Sequence, residues 1–315
     1  MLWGVTSIDP RDPAAFGPAP AEMVVQLQTG ERLHYLDWSV PGPEGLPVML
    51  VHELTRTAWT WLPVGRRLAA AGHAAVAPDL RGHGGSDAPL QGYELSSLAL
   101  DVLTVAAGAG WGEAVDGPPM VVAGHGFGAM IAVEMARQQP ASVAGVVLVD
   151  GGWEEMVEST RLLPDQLVEA IADPPEVLAS MTTYLADRRD FDPTTWDADQ
   201  ERAARAQVTE RHAGHVGAVT KGSVVRRCVT AMYGYQPLEA LPTVACPLSV
   251  LVAAAATADD DDERERRLAI DDAQAARAQA GQAPVEVHVF DGVGHDLMRY
   301  RPDEVCAALL RFTRR

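Results

Sequence analysis

A chain of 315 residues is long enough for one large domain or two smaller ones with a sizeable buried core. Hydrophobic residues make up 47% of it and charged residues 22%, which is typical of a globular protein and excludes a disordered one. The formal net charge of −18, without a basic stripe, argues against nucleic acid and anionic membranes as partners. We see no secretory leader pattern and no run of 18 apolar residues, so we expect a cytoplasmic protein.

Strand and helix patterns alternate along most of the chain. A hairpin is predicted at 23–38, where two β-rich runs flank a Thr-Gly turn. Nearly continuous apolar runs predict strands buried on both faces, at 47–53, 73–80, 119–126, 143–152, 246–255 and 285–290. Helices are predicted between them, at 59–71, 95–107, 127–139, 261–279 and 302–312. This order predicts an α/β fold with a mostly parallel, eight-stranded type of sheet covered by helices on both faces.

The alternation lapses between residues 153 and 240. This segment carries helical patterns, scattered prolines and aromatic residues, without strand-like runs. We interpret it as a helical cap, inserted into a core formed by 1–152 and 241–315, because the strands on either side are needed to complete one sheet. A separate helical domain is the alternative.

The stretch VVAGHGFGAM (121–130) has the pattern of a nucleophile elbow, in which a strand enters a tight glycine-rich turn and continues as a helix. Gly124 and Gly128 allow the strand and helix backbones to approach closely, and residue 126 is directed outward at the top of the sheet. That residue is Gly126, so the position of the nucleophile carries no side chain.

A histidine and several aspartates could complete the site. His295 lies in a glycine-flanked loop after the last predicted strand, and Asp259 follows the end of the strand before it. A strand-end carboxylate can accept the Nδ1–H of an imidazole and fix its tautomer. We assign this role to Asp259, with Asp150 at the end of the strand after the elbow as the alternative. Asp260, and a helix-cap role for Asp259, also stay open.

Four segments in the same order make the chain resemble the α/β-hydrolase family, over roughly 22–152 and 240–315. They are VMLVHELTRTAWTW, HAAVAPDLRGHGGSD, AGHGFGA and GVGHDLMRYRP. The resemblance implies that His295 is a general base oriented by Asp259. It also implies an oxyanion hole formed by the backbone N–H groups of Leu54 and Phe127.

Two positions depart from the family pattern. Gly126 replaces the nucleophile, which excludes a covalent acyl-enzyme at that position. Glu53 replaces the glycine that usually follows the loop histidine. It is either a solvent-facing side chain or an acid or base in the pocket.

These observations favour an enzyme that uses a His-Asp pair for non-covalent acid/base chemistry, as a lyase, cyclase, isomerase or direct hydrolase. The expected substrate is a small hydrophobic, carbonyl-containing molecule such as a secondary metabolite. One alternative is an ordinary esterase or lactonase inactivated by a Ser-to-Gly substitution, and another is a non-catalytic ligand-binding protein.

The substrate pocket is assigned to His125, Trp153, Met181 and Tyr233, although the cap residues among them fit a packed cap core equally well. We see no phosphate-binding loop and no metal-ligand spacing, so we expect neither cofactor nor metal. The chain is expected to be a monomer or a homodimer.

Overall fold

The computed structural model describes residues 13–172, 180–211, 214–255 and 260–313. The strands are β1 (Ala21–Gln26), β2 (Arg32–Trp38), β3 (Val48–Val51), β4 (Ala75–Pro78), β5 (Met120–His125), β6 (Val143–Val149), β7 (Val208–Glu210), β8 (Val216–Ala218), β9 (Leu248–Ala254) and β10 (Glu286–Asp291). The helices are α1 (Leu62–Ala70), α2 (Leu95–Gly108), α3 (Phe127–Gln138), α4 (Met156–Thr160), α5 (Pro164–Ile171), α6 (Met181–Phe191), α7 (Ala198–Ala206), α8 (Gly222–Tyr233), α9 (Pro237–Ala240), α10 (Asp260–Gln279), α11 (Leu297–Tyr300) and α12 (Pro302–Thr313).

Eight of these strands form one sheet, in the order β1-β2-β4-β3-β5-β6-β9-β10. Strand β2 is antiparallel to β1 and β4, and the remaining neighbours are parallel. The predicted hairpin is β1–β2, with Val25 opposite Leu33. The predicted α/β fold with a mostly parallel sheet is therefore confirmed.

The central strands are buried on both faces. Every residue of β3, β4 and β5 is buried. Met120 and Val122 of β5 belong to an apolar cluster that includes α2 and α3, whereas Val121 and Ala123 belong to the cluster that includes α1 and α12. Burial on both faces explains why the strands are continuous apolar runs, without polar alternation.

The turn from β5 into α3 brings backbone close to backbone. A side chain on Gly124 would overlap the carbonyl of Gly128, and a side chain on Gly128 would overlap the carbonyl of Val51. Helix α3 therefore starts directly at the carboxyl edge of β5. In open α/β sheets, ligands bind at this edge.

The segment between β6 and β9 contains α4 to α9 in its described part, and also a two-stranded antiparallel sheet of β7 and β8. The segment is predicted as a helical cap because it lacks strand-like runs, and its described part is mostly helical but also contains this small sheet. Each of the two strands has only three residues, which is too short to produce a visible period. An ion pair of 3.1 Å between Arg66 of α1 and Asp199 of α7 ties the segment to the rest of the fold.

One described segment, Leu95–Val115, is long and apolar enough to cross a membrane, with a mean hydropathy of 1.3. It contains α2, and half of it is buried inside the fold. A core helix of a globular protein passes the same test, so the segment is weak evidence for a membrane span.

Candidate active site

The candidate active site lies where four strands end. Glu53 follows β3, Gly126 follows β5, Asp150 follows β6, and His295 lies in the loop after β10. Because parallel strands end at the same edge of a sheet, these residues come together although they are far apart in sequence. His295 Nδ1 lies 2.7 Å from Asp150 Oδ2, and its Nε2 lies 3.7 Å from Glu53 Oε2.

The carboxylate at Nδ1 of His295 is that of Asp150, the alternative acid of the sequence analysis. Asp259, the acid assigned there, lies outside the described residues. Asp150 Oδ1 accepts hydrogen bonds from the backbone N–H of Ala253 at 2.8 Å and from Nη2 of Arg266 at 2.7 Å. Both oxygens of Asp150 thus have partners, and the carboxylate is fixed beside the imidazole.

Arg266 has a role that the sequence did not reveal. It lies in the charged run that follows the Asp cluster at 259–262, and such a run ordinarily forms a solvated helix face. In the structure its guanidinium contacts Asp150 and also Glu154, with 3.3 Å between Nε and Oε1. Nothing in the pattern distinguishes this arginine from its exposed neighbours.

The Glu53 carboxylate fills the space that a side chain at position 126 would need. A Cβ built on Gly126 would overlap Glu53 Oε2 and would lie 3.3 Å from Glu53 Cγ. Gly126 also has φ +50° and ψ −111°, a backbone conformation that costs other residues about 1–3 kcal/mol. A side chain at position 126 would therefore bear this backbone strain and would require the Glu53 carboxylate to move.

Glu53 also occupies the predicted oxyanion hole. Its Oε1 accepts the N–H of Leu54 at 2.7 Å, and its Oε2 accepts the N–H of Phe127 at 2.5 Å. The two N–H groups converge as expected, but on a carboxylate of the protein itself. In this arrangement they are not free to bind an oxyanion of a substrate, which the Glu53 charge would also repel.

The charges of Glu53, His295 and Asp150 stabilise one another, with a protonated imidazole between two ionised carboxylates. Burial raises the pKa of Glu53, but the nearby charge of His295 lowers it more, so its pKa is below the ordinary value. The pKa of Asp150 is lowered in the same way, against burial, by His295 and Arg266. Partial removal from water disfavours the charged form of His295, but the hydrogen bond with Asp150 and the nearby charge of Glu53 raise its pKa to about 10. His295 is therefore protonated at neutral pH, unlike the free general base that the resemblance implies.

Two neighbouring histidines support the site. His125 is fully buried, with Nε2 3.0 Å from the carbonyl oxygen of His295. Burial, followed by the charge of His295, lowers the pKa of His125 to about 4, so its ring is neutral. His52 accepts the N–H of Leu80 at Nε2, at 3.0 Å, which leaves Nδ1–H to donate to the carbonyl of Glu53 at 2.8 Å. It thereby fixes the backbone that carries the Glu53 side chain.

Glu53, His125 and His295 also form a possible metal-ligating group. Each offers one ligand atom, and the three atoms lie within 4.8 Å of one another. Two imidazoles and a carboxylate suit a divalent transition metal. However, such an ion would have to displace the proton on the ring nitrogen of His295 that faces Glu53.

A cavity of about 290 Å³ lies beside His295, among residues of α6, α7 and α11. Three residues that the sequence places in the pocket pack elsewhere. Trp153 is buried beneath the Arg266 guanidinium, Met181 packs against a small apolar cluster formed with α6 and α7, and the Tyr233 hydroxyl donates to a backbone carbonyl at 2.7 Å. His125 is beside the site but fully buried. The helical spacing of Met181 and Tyr233 therefore reflects packing within the segment between β6 and β9.

Comparison with known proteins gives one family. The sequence profile described as "Alpha/beta hydrolase family" matches residues 40–308. This chain is 34% identical, over 137 residues or 43% of its length, to a putative carbamate hydrolase RutD of Variovorax paradoxus. Over the same length it is also 34% identical to a non-heme chloroperoxidase of Streptomyces lividans. The matched part spans about half of each relative, 48% and 46% respectively.

Solved structures of similar fold cover nearly the whole chain. An E-2-(acetamidomethylene)succinate hydrolase superposes with a TM-score of 0.73 at 18% identity, covering 93% of this chain and 98% of that one. A thioesterase domain from the curacin biosynthetic pathway superposes with a TM-score of 0.68 at 20% identity, covering 93% and 100%. At these identities the likeness concerns the fold alone.

Proposed function

The chain belongs to the alpha/beta hydrolase family, and we propose that it is an enzyme that works without a covalent nucleophile at its elbow. In this proposal His295 is a general acid, kept protonated by Asp150 on one side and Glu53 on the other. One observation carries the proposal: the Glu53 carboxylate lies in the space of the missing side chain at Gly126, within 3.7 Å of His295 Nε2.

The reaction that suits this arrangement starts with proton donation. The Nε2–H of His295 passes its proton to an oxygen of a carbonyl-containing substrate, which makes the attached carbon more electrophilic. The neutral imidazole then takes a proton from the group that adds, either a water molecule or a hydroxyl of the substrate. The first case is a hydration and the second is a cyclisation. In a hydrolysis, the imidazolium formed in the first case then donates its proton to the leaving group as the bond between that group and the carbon breaks, and none of these reactions forms an ester with the protein.

Glu53 acts in this scheme as the anion that keeps the imidazolium charged. A carboxylate that accepts two backbone N–H groups and has a lowered pKa is a weak base. It is therefore better suited to stabilise a neighbouring positive charge than to remove a proton from carbon. When His295 gives up its proton, the attraction of Glu53 favours its return.

An ordinary hydrolase inactivated by Ser-to-Gly substitution is supported less well. Serine at position 126 would overlap the Glu53 carboxylate in the conformation described. Glu53 and Gly126 therefore fit each other, whereas a single inactivating substitution would leave an empty hole with both N–H groups unpaired. The two departures from the family pattern form one coupled change.

A non-catalytic ligand-binding protein is the second candidate, and one observation favours it. Glu53 already satisfies both N–H groups at the elbow, so the site can persist as a closed ion pair. The turnover experiment below separates the two candidates, because a binding protein has no step that depends on the proton of His295.

The proposal is tested by incubating the wild-type chain and the His295→Ala variant with a panel of lactones, epoxides, enol esters and β-keto acids, followed by mass spectrometry. We expect turnover by the wild type that falls about 10³-fold or more in His295→Ala, with no protein adduct at any time. Turnover that is equal in both chains would refute the proposal. Binding without turnover across the panel would favour the second candidate.

A further inference from the structure

The cavity beside His295 is more cationic than the rest of the protein. Its walls carry aromatic side chains, among them Tyr184, Trp196 and Tyr300, and three arginines, Arg56, Arg188 and Arg299. The chain as a whole has a formal net charge of −18. Three guanidinium groups therefore lie close together beside His295, in a protein that is otherwise strongly acidic.

Among the described residues, one carboxylate lines this cavity, and it is already paired. Asp296 Oδ2 lies 2.9 Å from Nη2 of Arg56. Most arginines in the described ranges lie within 4 Å of a carboxylate, but Arg188 and Arg299 have no such partner there. The cavity thus has two guanidinium groups without a direct ion pair among the described residues, and the carboxylates of Asp192 and Asp296 act on Arg299 only through their charge.

Arg299 is held in place by neutral groups. Its Nε donates to the Thr195 hydroxyl at 2.6 Å and its Nη2 to the carbonyl of Asp192 at 2.8 Å. These bonds orient the guanidinium and leave its charge intact. Arg188 lies over the ring of Tyr184, 5.1 Å from the centroid, a contact that also preserves the charge. Oriented guanidinium groups with unpaired charge are suited to bind a carboxylate or a phosphate.

We propose that this cavity binds a small organic acid, with Arg188 and Arg299 as ligands of its anionic group and the aromatic side chains packed against its carbon skeleton. The volume of about 290 Å³ is at the lower end of the range for ligand pockets, which favours a small molecule. The proposal rests on the proposed function for one point only, that the bound acid presents its reacting group to His295. It changes the expected substrate from a purely hydrophobic molecule to an anionic one.

The test uses three probes of nearly the same shape: phenylacetate, its neutral analogue phenylacetamide, and phenyl phosphate. Binding to the full chain is measured by calorimetry in phosphate-free buffer, and the ring signals of His295 are followed by NMR. We expect one of the two anions to bind at least about tenfold more tightly than the amide and to shift the His295 signals. The tighter anion identifies the group as carboxylate or phosphate.

Variants locate the binding groups. Arg299→Gln and Arg188→Gln should each weaken anion binding about tenfold and leave amide binding unchanged. Arg227→Gln is the matched control, because Arg227 also lacks a described carboxylate within 4 Å and lies over an aromatic ring, that of Tyr93 at 5.7 Å, outside this cavity. It should bind the anion as the wild type does.

Three results would overturn the proposal: no binding of either anion at millimolar concentration, equal binding of acid and amide, or anion binding that both arginine variants retain. These measurements require no turnover, so the proposed function can fail while arginine-dependent binding is still observed. Conversely, turnover that depends on His295 can be found for a neutral substrate, and then only the present proposal fails.

Discussion

The Glu53 carboxylate lies in the space that a side chain on Gly126 would occupy, because a Cβ on Gly126 would overlap Glu53 Oε2. Two positions that are far apart in sequence are therefore a single structural feature. The same carboxylate lies 3.7 Å from His295 Nε2.

Restoring the serine should work only when the glutamate is removed. In Gly126→Ser alone the new side chain meets the Glu53 carboxylate, whereas Glu53→Gly with Gly126→Ser leaves room for serine and frees the N–H groups of Leu54 and Phe127. We expect the double variant to hydrolyse p-nitrophenyl butyrate at least about 100-fold faster than Gly126→Ser. A fluorophosphonate probe should label only the double variant.

Glu53→Gly alone is the control for this experiment, since it opens the hole without adding a nucleophile. It should remain unlabelled. Labelling of Gly126→Ser to the same extent as the double variant would show that Glu53 does not hold the space at position 126.

The protonation of His295 should depend on Glu53. Its pKa of about 10 lies above the ordinary value of about 6.5 because two carboxylates hold the proton. Glu53→Gln removes one of them and should lower the pKa, so that the imidazolium is lost at a lower pH than in the wild type. The measurement is an NMR titration of the His295 ring between pH 5 and pH 11, about the window set by these values.

The stability that the protonated His295 contributes to the fold should decrease as the pH rises. A histidine with a raised pKa in the folded state contributes stability that is complete below its unfolded pKa and is lost as pH rises through its folded pKa. The wild type should therefore lose this contribution towards pH 10, and Glu53→Gln should lose it earlier. Glu134→Gln is the control, because it also removes one carboxylate charge and Glu134 pairs with Arg137 of α3. An equal pKa of His295 in Glu53→Gln and the wild type would contradict the assignment.

Asp150→Asn should disable His295 more severely than any change at Asp259. Asparagine keeps the shape of the side chain but cannot hold the imidazolium, and the tautomer of His295 is no longer fixed. We expect a loss of turnover of about 10³- to 10⁴-fold. The downfield NMR signal of the His295 Nδ1 proton should also disappear. If Asp259→Asn removes that signal and Asp150→Asn keeps it, the acid is Asp259.

Arg277 should matter for stability without affecting the site. It is fully buried, and its Nη1 donates to the carbonyls of Leu241 at 2.7 Å and Val244 at 2.9 Å. Arg277→Met leaves these buried carbonyls unpaired, so the free energy of unfolding should fall by about 2–4 kcal/mol. Urea unfolding measures it. Arg137→Met, which removes a half-exposed ion pair with Glu134, should cost less than about 1 kcal/mol, and equal losses in the two variants would contradict the prediction.

The sequence predicts the sheet well because its strands are buried on both faces and separated by helices of ordinary length. It also predicts the elbow, since the Gly124 and Gly128 spacing has a steric cause that holds in any context. The pairing of His295 is harder to predict, because Asp150 and Asp259 both follow strands and only the fold decides which carboxylate reaches the imidazole. The sequence pattern offers Asp150 as an alternative partner of His295, but it gives no reason to prefer Asp150 over Asp259.

The hydrogen bonds of Glu53 with the N–H groups of Leu54 and Phe127 could not be predicted from a motif. The sequence shows Glu53 and Gly126 as two separate departures, and their contact arises from the neighbouring positions of β3 and β5 in the sheet. The arginines of the cavity were missed for a similar reason. Arg56, Arg188 and Arg299 come from three distant segments, and an arginine in a charged helix or loop looks the same whether it faces solvent or a cavity.

The overlap of Glu53 with a side chain at position 126 also makes the two positions interdependent as targets for redesign. Glycine at 126 is compatible with glutamate at 53, whereas a larger residue at 126 requires the Glu53 carboxylate to leave the place that it has here. The residue at position 53 therefore decides which side chains the elbow can carry.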